Sequence, residues 1–219
     1  MAAKAAKPEE TDWAAETEQR LLDAALPLAP EIGWNRMLIV RAGREIGLSL
    51  GETELLIPNG ARDLAALLSR RHDALAMEAL AGTDPKSLNI RERISVAVSA
   101  RISAPMADEA AVRRMCGYLA WPTNLPLALR LVWESADGIW RWAGDTATDE
   151  NHYSKRAILA GILITTLAVR MQSGVEAEAE YLAASIERVM SFEKWKAKFH
   201  PAEQARDIAR ALGRIRYGR

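Results

Sequence analysis

Residues 157–169 read AILAGILITTLAV, thirteen positions without a charge. A run of that length falls short of the ~20 apolar residues a helix needs to cross a hydrocarbon core, so it predicts a buried helix and no membrane span. A helix apolar on every face must be enclosed on every face, by other helices, by a second subunit or by a lipid. Gly161, Thr165 and Thr166 permit close approach of whatever packs there. The enclosing material is helical too, because nearly every other segment repeats its apolar residues with a helical period and none alternates at two. The chain is therefore all-α. With 219 residues, 49% of them hydrophobic, it can bury one main core.

The order predicted is a series of about eight to ten helices with short connections. The first runs from about Thr17 to Ile32 and is kinked or shortened by Pro27 and Pro30. A second covers about Asn35 to Ile46 and stops at Gly47. A third starts near Glu52 or Thr53 and meets Pro58 within a turn or two, and a longer fourth spans Arg62 to Leu80. Asn89 with Glu92 makes a capping-box start for a helix through about Ser103, and Asp108 caps another to about Ala120. After the breaker Trp121–Asn124, Leu125 to Ala143 forms a Trp-rich apolar helix.

On that helix Leu129, Val132, Ala136, Ile139 and Trp140 share one face, with Trp133 seven residues before Trp140. Helix-spaced aromatics fill a core or line an apolar pocket, and both readings stand here. If a pocket forms, its walls are Leu129, Val132, Trp133, Ala136, Ile139 and Trp140 from this helix and Ala160, Gly161 and Ile164 from the uncharged run. Between the two helices lies a polar block, GDTATDENHYSKR, residues 144–156. Gly144 reads as a helix C-cap, Thr148 as an N-cap, and Asp149 and Glu150 as first-turn acids that complement the helix dipole. Capping leaves Tyr153 and Arg156 unexplained. Three residues apart on a helix, they form an aromatic and cation pair of the kind enriched at interface anchors, or an ordinary surface pair.

Lysine plus arginine (29) equals aspartate plus glutamate (29), so no overall field draws the chain to nucleic acid or a bilayer, and any electrostatic preference is local. The strongest local bias is at the carboxyl end. From Phe192 to Arg219, eight bases face three acids, a net of +5. Phe192, Trp195 and Phe199 recur at helical spacing among lysines, and Ile208, Leu212 and Ile215 form an apolar stripe opposite Arg210 and Arg214. A basic, amphipathic, aromatic helix lies on an anionic membrane through Trp195, Phe199, Ile208, Arg210, Leu212, Arg214 and Ile215, or it docks on protein with solvated arginines.

Catalytic and metal chemistry find little support. Asp149 and His152 are three apart, but a four-helix carboxylate site needs a second such pair, and His72 and His200 lie in unrelated segments. No GxGxxG, phosphate loop, GxSxG or HExxH occurs. The expectation is a non-enzyme without metal or cofactor. Cys116, alone, falls on a helical apolar stripe and reads as a buried, inert thiol in a reducing compartment. The opening residues contain no secretory or transit pattern, which predicts a cytoplasmic protein, and the basic amphipathic carboxyl end predicts peripheral association with the inner face of the membrane.

The strings LLDAALPLAPEIGW, RAGREIGLS and NGARDLAALL, in that order, resemble a TetR-type helix-turn-helix. That architecture reads DNA through its short third helix, yet Glu45 to Ala61 holds three acids and no lysine or arginine. No nucleic-acid partner is expected. Together with NLPLALRLVWESADGIWRWAG and GDTATDENHYSKRAILAG, the chain resembles the coenzyme Q biosynthesis protein nine family over roughly residues 21–190. The resemblance implies a TetR-like fold with a degenerate amino-terminal helix-turn-helix and a carboxyl-terminal amphipathic helix. It implies that an isoprenoid lipid or quinone intermediate occupies the old effector pocket for presentation to the demethoxyubiquinone hydroxylase. The family's docking segment matches Asp149, His152, Tyr153 and Arg156, with His152 where many relatives have Trp. The layout expected is a flexible tail (1–16), the degenerate helix-turn-helix (17–80), a lipid- and partner-binding core (81–191) and a basic amphipathic segment (192–219), in a homodimer. A TetR-type regulator with a lipophilic effector is the alternative.

Overall fold

The computed structural model describes residues 8–146 and 150–198, with side-chain surroundings over 13–146 and 152–191. Every regular element among them is helical: α1 Pro8–Ala25, α2 Ala29–Ile32, α3 Arg36–Glu45, α4 Leu50–Leu56, α5 Ala61–Ala79, α6 Ile90–Ser103, α7 Glu109–Leu119, α8 Leu125–Trp142 and α9 Glu150–Lys198. The first helix begins at Pro8, well before the Thr17 expected from the sequence. Thr17 is itself buried, its hydroxyl donating to the Trp13 carbonyl at 2.7 Å. Pro27 ends α1 by removing a backbone donor, so the expected single helix is two.

Local chemistry sets the starts. The Asn35 side chain accepts from the backbone N–H groups of Met37 and Leu38, and reciprocal capping boxes join Ser49 with Glu52 and Asn89 with Glu92. The Ser49 box starts α4 earlier than Glu52. Asp108 precedes α7 but makes no side-chain cap; its carboxylate faces His72 at 3.8 Å. Helices α3 and α4 close tightly because Gly43 has no side chain: a Cβ there would stand 2.5 Å from the Thr53 hydroxyl oxygen.

Leu21, Leu22, Leu38, Leu64 and Leu68 build a core around Trp34, whose ring N–H donates to the Ala111 carbonyl at 2.9 Å. Ala111, Val112 and Met115 of α7 complete this core, so the region 17–80 does not close on itself. A second core joins Ile94, Val98 and Ile102 of α6 to Ala136 and Ile139 of α8 and to Leu159, Leu163, Leu182 and Ile186 of α9.

Helix α9 is not continuous. Gly174 takes φ 86° and ψ −172°, a conformation open to glycine and strained for other residues. The chain folds back there. In a straight helix Leu159 and Ile186 would lie roughly 40 Å apart, yet they line one cavity, and Arg170 pairs with Glu178 across the bend at 2.6 Å. The uncharged run forms the first arm of this hairpin. Leu159, Ile162, Leu163 and Thr166 are buried, while Ala157, Gly161 and Thr165 face outward and are exposed. Helices of this chain, α6, α8 and the returning arm, cover one face of the arm. Within His152–Ser191 one window is long and apolar enough to cross a membrane by length and composition, with 17% of it buried.

Candidate ligand chamber and docking surface

Residues of α5, α6, α7, α8 and α9 line a chamber of about 680 Å³. Its walls are apolar: Leu119, Leu125, Leu129, Val132, Leu163 and Leu167. Leu125, Leu129 and Ile164, each about half exposed, form its mouth. Ser69 and Ser135, both buried, and Arg101 make one polar end. There the Arg101 Nε donates to Asp73 Oδ1 at 2.5 Å, and the Ser135 hydroxyl donates to the same oxygen at 2.6 Å. Volume and lining match the apolar cavities, with few polar groups, that enclose small organic ligands. Cys116 borders the chamber half-buried rather than fully buried, and burial pushes its thiol pKa up, which keeps it protonated and unreactive.

Three of the nine expected pocket residues line this chamber: Leu129, Val132 and Ile164. Ala136, Ile139 and Ala160 are solid core instead, because α8 sinks between α6 and α9 toward its carboxyl end. Gly161 points away from the chamber, and a Cβ added there would meet nothing within 4 Å. Trp133 packs against Tyr153, ring centroids 6.2 Å apart. Trp140 lines a separate cavity of about 380 Å³ with Ile94, Ile158 and Ile186, rimmed by Arg91, Arg93 and Lys155. Its ring N–H donates to the Lys155 carbonyl at 3.1 Å, and the Lys155 ammonium lies 5.3 Å over its ring. Sequence reading missed the chamber's polar end, since Ser69, Asp73, Arg101 and Ser135 come from three helices and share no local pattern.

Around the polar block, Gly144 at φ 87° ends α8, and the Asp145 N–H returns to the Trp140 carbonyl at 2.9 Å. Tyr153 is 65% exposed, with His152 edge-on at 5.1 Å between centroids. Arg156 is not a surface anchor. It is 2% exposed and bound to Asp137 at 2.6 Å and Asp145 at 3.2 Å. The cause was visible in the spacing: positions 156, 159, 163 and 166 form the inner stripe of the first arm. Asp149, Phe199, Ile208, Arg210, Leu212, Arg214 and Ile215 lie outside the described residues, as does the side chain of Trp195. Among the described residues no three His, Cys, Asp or Glu gather in a metal-binding group.

Residues 125–193, the segment that holds α8, the polar block and most of α9, match the family model COQ9. Curated relatives carry the same name. The chain is 29% identical to "Ubiquinone biosynthesis protein COQ9, mitochondrial" of Rattus norvegicus, over 75% of this chain and 55% of that protein. It is 28% identical to the protein of the same name in Homo sapiens (75% and 54%) and to that of Xenopus tropicalis (71% and 51%). The chain is similar to the COQ9 family over residues 125–193. It spans about half the length of these curated relatives. Its fold is similar to that of a TetR transcriptional regulator from Nitrosomonas europaea, with TM-score 0.62 and 16% identity over 82% of this chain and 99% of that one. The all-α, TetR-like architecture is thus established, while the COQ9 match falls on the two helices that line the chamber's mouth.

Proposed function

We propose that this COQ9 relative is a non-enzymatic accessory protein of ubiquinone biosynthesis that binds an isoprenoid lipid or quinone intermediate and presents it to the demethoxyubiquinone hydroxylase at a membrane. The observation that carries this reading is the apolar chamber of about 680 Å³ inside the family-matching segment. An apolar tail gains by leaving water for such walls. The exposed Tyr153, braced by Trp133, supplies the docking surface one turn along α8 from Leu129 at the mouth. The basic amphipathic segment 192–219 supplies the membrane contact, and the open outer face of the first α9 arm supplies the contact for a second subunit. Exposed positions of α4, Leu50, Glu52, Glu54 and Leu55, carry no cation, and Glu54 holds Arg36 at 3.1 Å, which favours this reading over DNA binding. Mass spectrometry of lipids extracted from the purified full chain tests the proposal. Isoprenoid quinones or their precursors are expected; a chain that carries no lipid and takes up none from quinone-containing vesicles would refute it.

A further inference from the structure

The chamber is polar at its inner end, where a merely greasy cavity has no use for polarity. Arg101 has five N–H donors. One goes to Asp73 at 2.5 Å and one to the Ser69 hydroxyl oxygen at 3.4 Å, and no other partner of Arg101 exists among the described residues. Its guanidinium is nonetheless largely buried, 13% exposed, on the chamber lining. Donors left without acceptors in such a place cost free energy until something accepts from them. The Ser69 hydroxyl, buried beside it, likewise donates to nothing among the described residues.

We propose that Arg101, Ser69 and Ser135 form a subsite for the uncharged, hydrogen-bond-accepting head of a single-tailed amphiphile, with the tail running out between α8 and α9. The inference rests on the lipid-binding reading and adds the chemistry and orientation of the ligand. Charge decides the head. Arg101 is already neutralised by Asp73, whose Oδ1 also accepts from Ser135, so the end of the chamber has donors to offer but no net positive charge. A carboxylate or phosphate placed there would be desolvated and would meet the Asp73 charge, whereas a carbonyl or hydroxyl accepts from Arg101 with no charge to bury. The rim offers an anion no better site, because Arg113 is held by Glu109 at 2.7 Å and by the Met171 carbonyl. Apart from Cys116 and Gln172, the remaining walls are leucine, isoleucine, valine, methionine and alanine, suited to a hydrocarbon chain.

Dodecanol and dodecanoate share a tail and differ in head charge, so displacement of a fluorescent apolar probe from the delipidated full chain by each, at pH 8, tests the subsite. Dodecanol is expected to bind about tenfold more tightly, the order of one hydrogen bond from a charged donor. Asp73→Asn leaves Arg101 as a net cation, and the preference should reverse toward dodecanoate. Should that variant lose its helical circular dichroism, Ser69→Ala serves in its place: it keeps the ion pair and should weaken dodecanol while leaving dodecanoate unchanged. Equal affinity of both heads in the wild type, or a wild-type preference for dodecanoate, overturns the subsite and leaves the lipid chamber standing. Failure of both compounds to displace the probe overturns subsite and lipid-binding reading together.

Discussion

The Arg156 Nε donates to Asp137 Oδ1 at 2.6 Å, tying the start of α9 to the last turns of α8 across the polar block. Its Nη1 reaches Asp145 Oδ2 at 3.2 Å, and Lys155 binds the other oxygen of that carboxylate at 2.7 Å. Burial pushes the Asp145 carboxyl pKa up, but the hydrogen bonds from Lys155 and Arg156 outweigh it and hold the group below the usual carboxylate range. The block is thus clamped from inside, and the clamp holds Tyr153 facing outward.

Removing the clamp should cost stability. Arg156→Glu replaces the shared cation with a third acid beside Asp137 and Asp145, and breaking a buried pair this way costs about 3 to 5 kcal/mol. Thermal and urea unfolding are expected to show a large loss. A variant as stable as the wild type would show that the guanidinium is not buried as described.

Tyr153→Ala should behave in the opposite way. An exposed ring that leans on Trp133 contributes about 1 kcal/mol or less to the fold, but an aromatic anchor contributes about 2 kcal/mol or more to an interface. Capture of the purified hydroxylase is expected to weaken by at least ~30-fold with little change in melting temperature. Full capture by a folded variant would remove Tyr153 from the interface.

These two residues show what the sequence made legible. Capping boxes at Ser49 and Asn89, the stop at Gly47 and the break at Pro27 are short-range chemistry, and each could be read from a few neighbouring letters. Tyr153 and Arg156 were paired because they are three apart, yet what separates them is Asp137 and Asp145, nineteen and eleven residues back. Periodicity on α8 gave the right face, but the face runs from an open chamber at Leu129 to packed core at Ile139, and spacing alone does not report what lies opposite. Gly174 escaped because a lone glycine inside a helical pattern costs only ~1 kcal/mol and marks a reversal only when the following helix has somewhere to return.

The chamber can be closed selectively. Ala128 lines it, and Ala128→Trp should fill it and displace copurifying lipid while helical circular dichroism is retained. Gly161→Trp, on the open face, should leave lipid content unchanged. The reverse pattern would move the ligand to the outer face of α9.

The segment beyond residue 191 carries a membrane prediction from its sequence. Its apolar stripe provides burial, and each lysine or arginine adds on the order of 1 kcal/mol near an anionic surface, a contribution that salt screens. Ile208→Glu with Leu212→Glu should abolish sedimentation with phosphatidylserine-containing vesicles, raised salt should weaken the wild type in part, and bound lipid should survive. Vesicle binding indifferent to both changes would place this segment on protein instead.

His72 makes stability depend on pH. It is 1% exposed, and burial, reinforced by Arg101 and Arg71, pushes its pKa down to about 3. Asp108 does not rescue the charged form, because 3.8 Å from Nε2 is too long for a hydrogen bond, and Nε2 has no hydrogen-bond partner among the described residues. The folded imidazole therefore stays neutral while the unfolded one, with an ordinary value near 6.5, takes up a proton as the pH falls. Its contribution is fully present above about pH 6.5 and is lost progressively toward pH 3, at a limiting slope of about 1.4 kcal/mol per pH unit. Between pH 7 and pH 5 the wild type should lose about 2 kcal/mol more than His72→Gln, which has no titrating group at that position. Urea midpoints at the two pH values measure this difference. If wild type and variant decline in parallel, the folded imidazole takes up its proton over the same pH range as the unfolded one, and the neutral setting described for α5 is wrong.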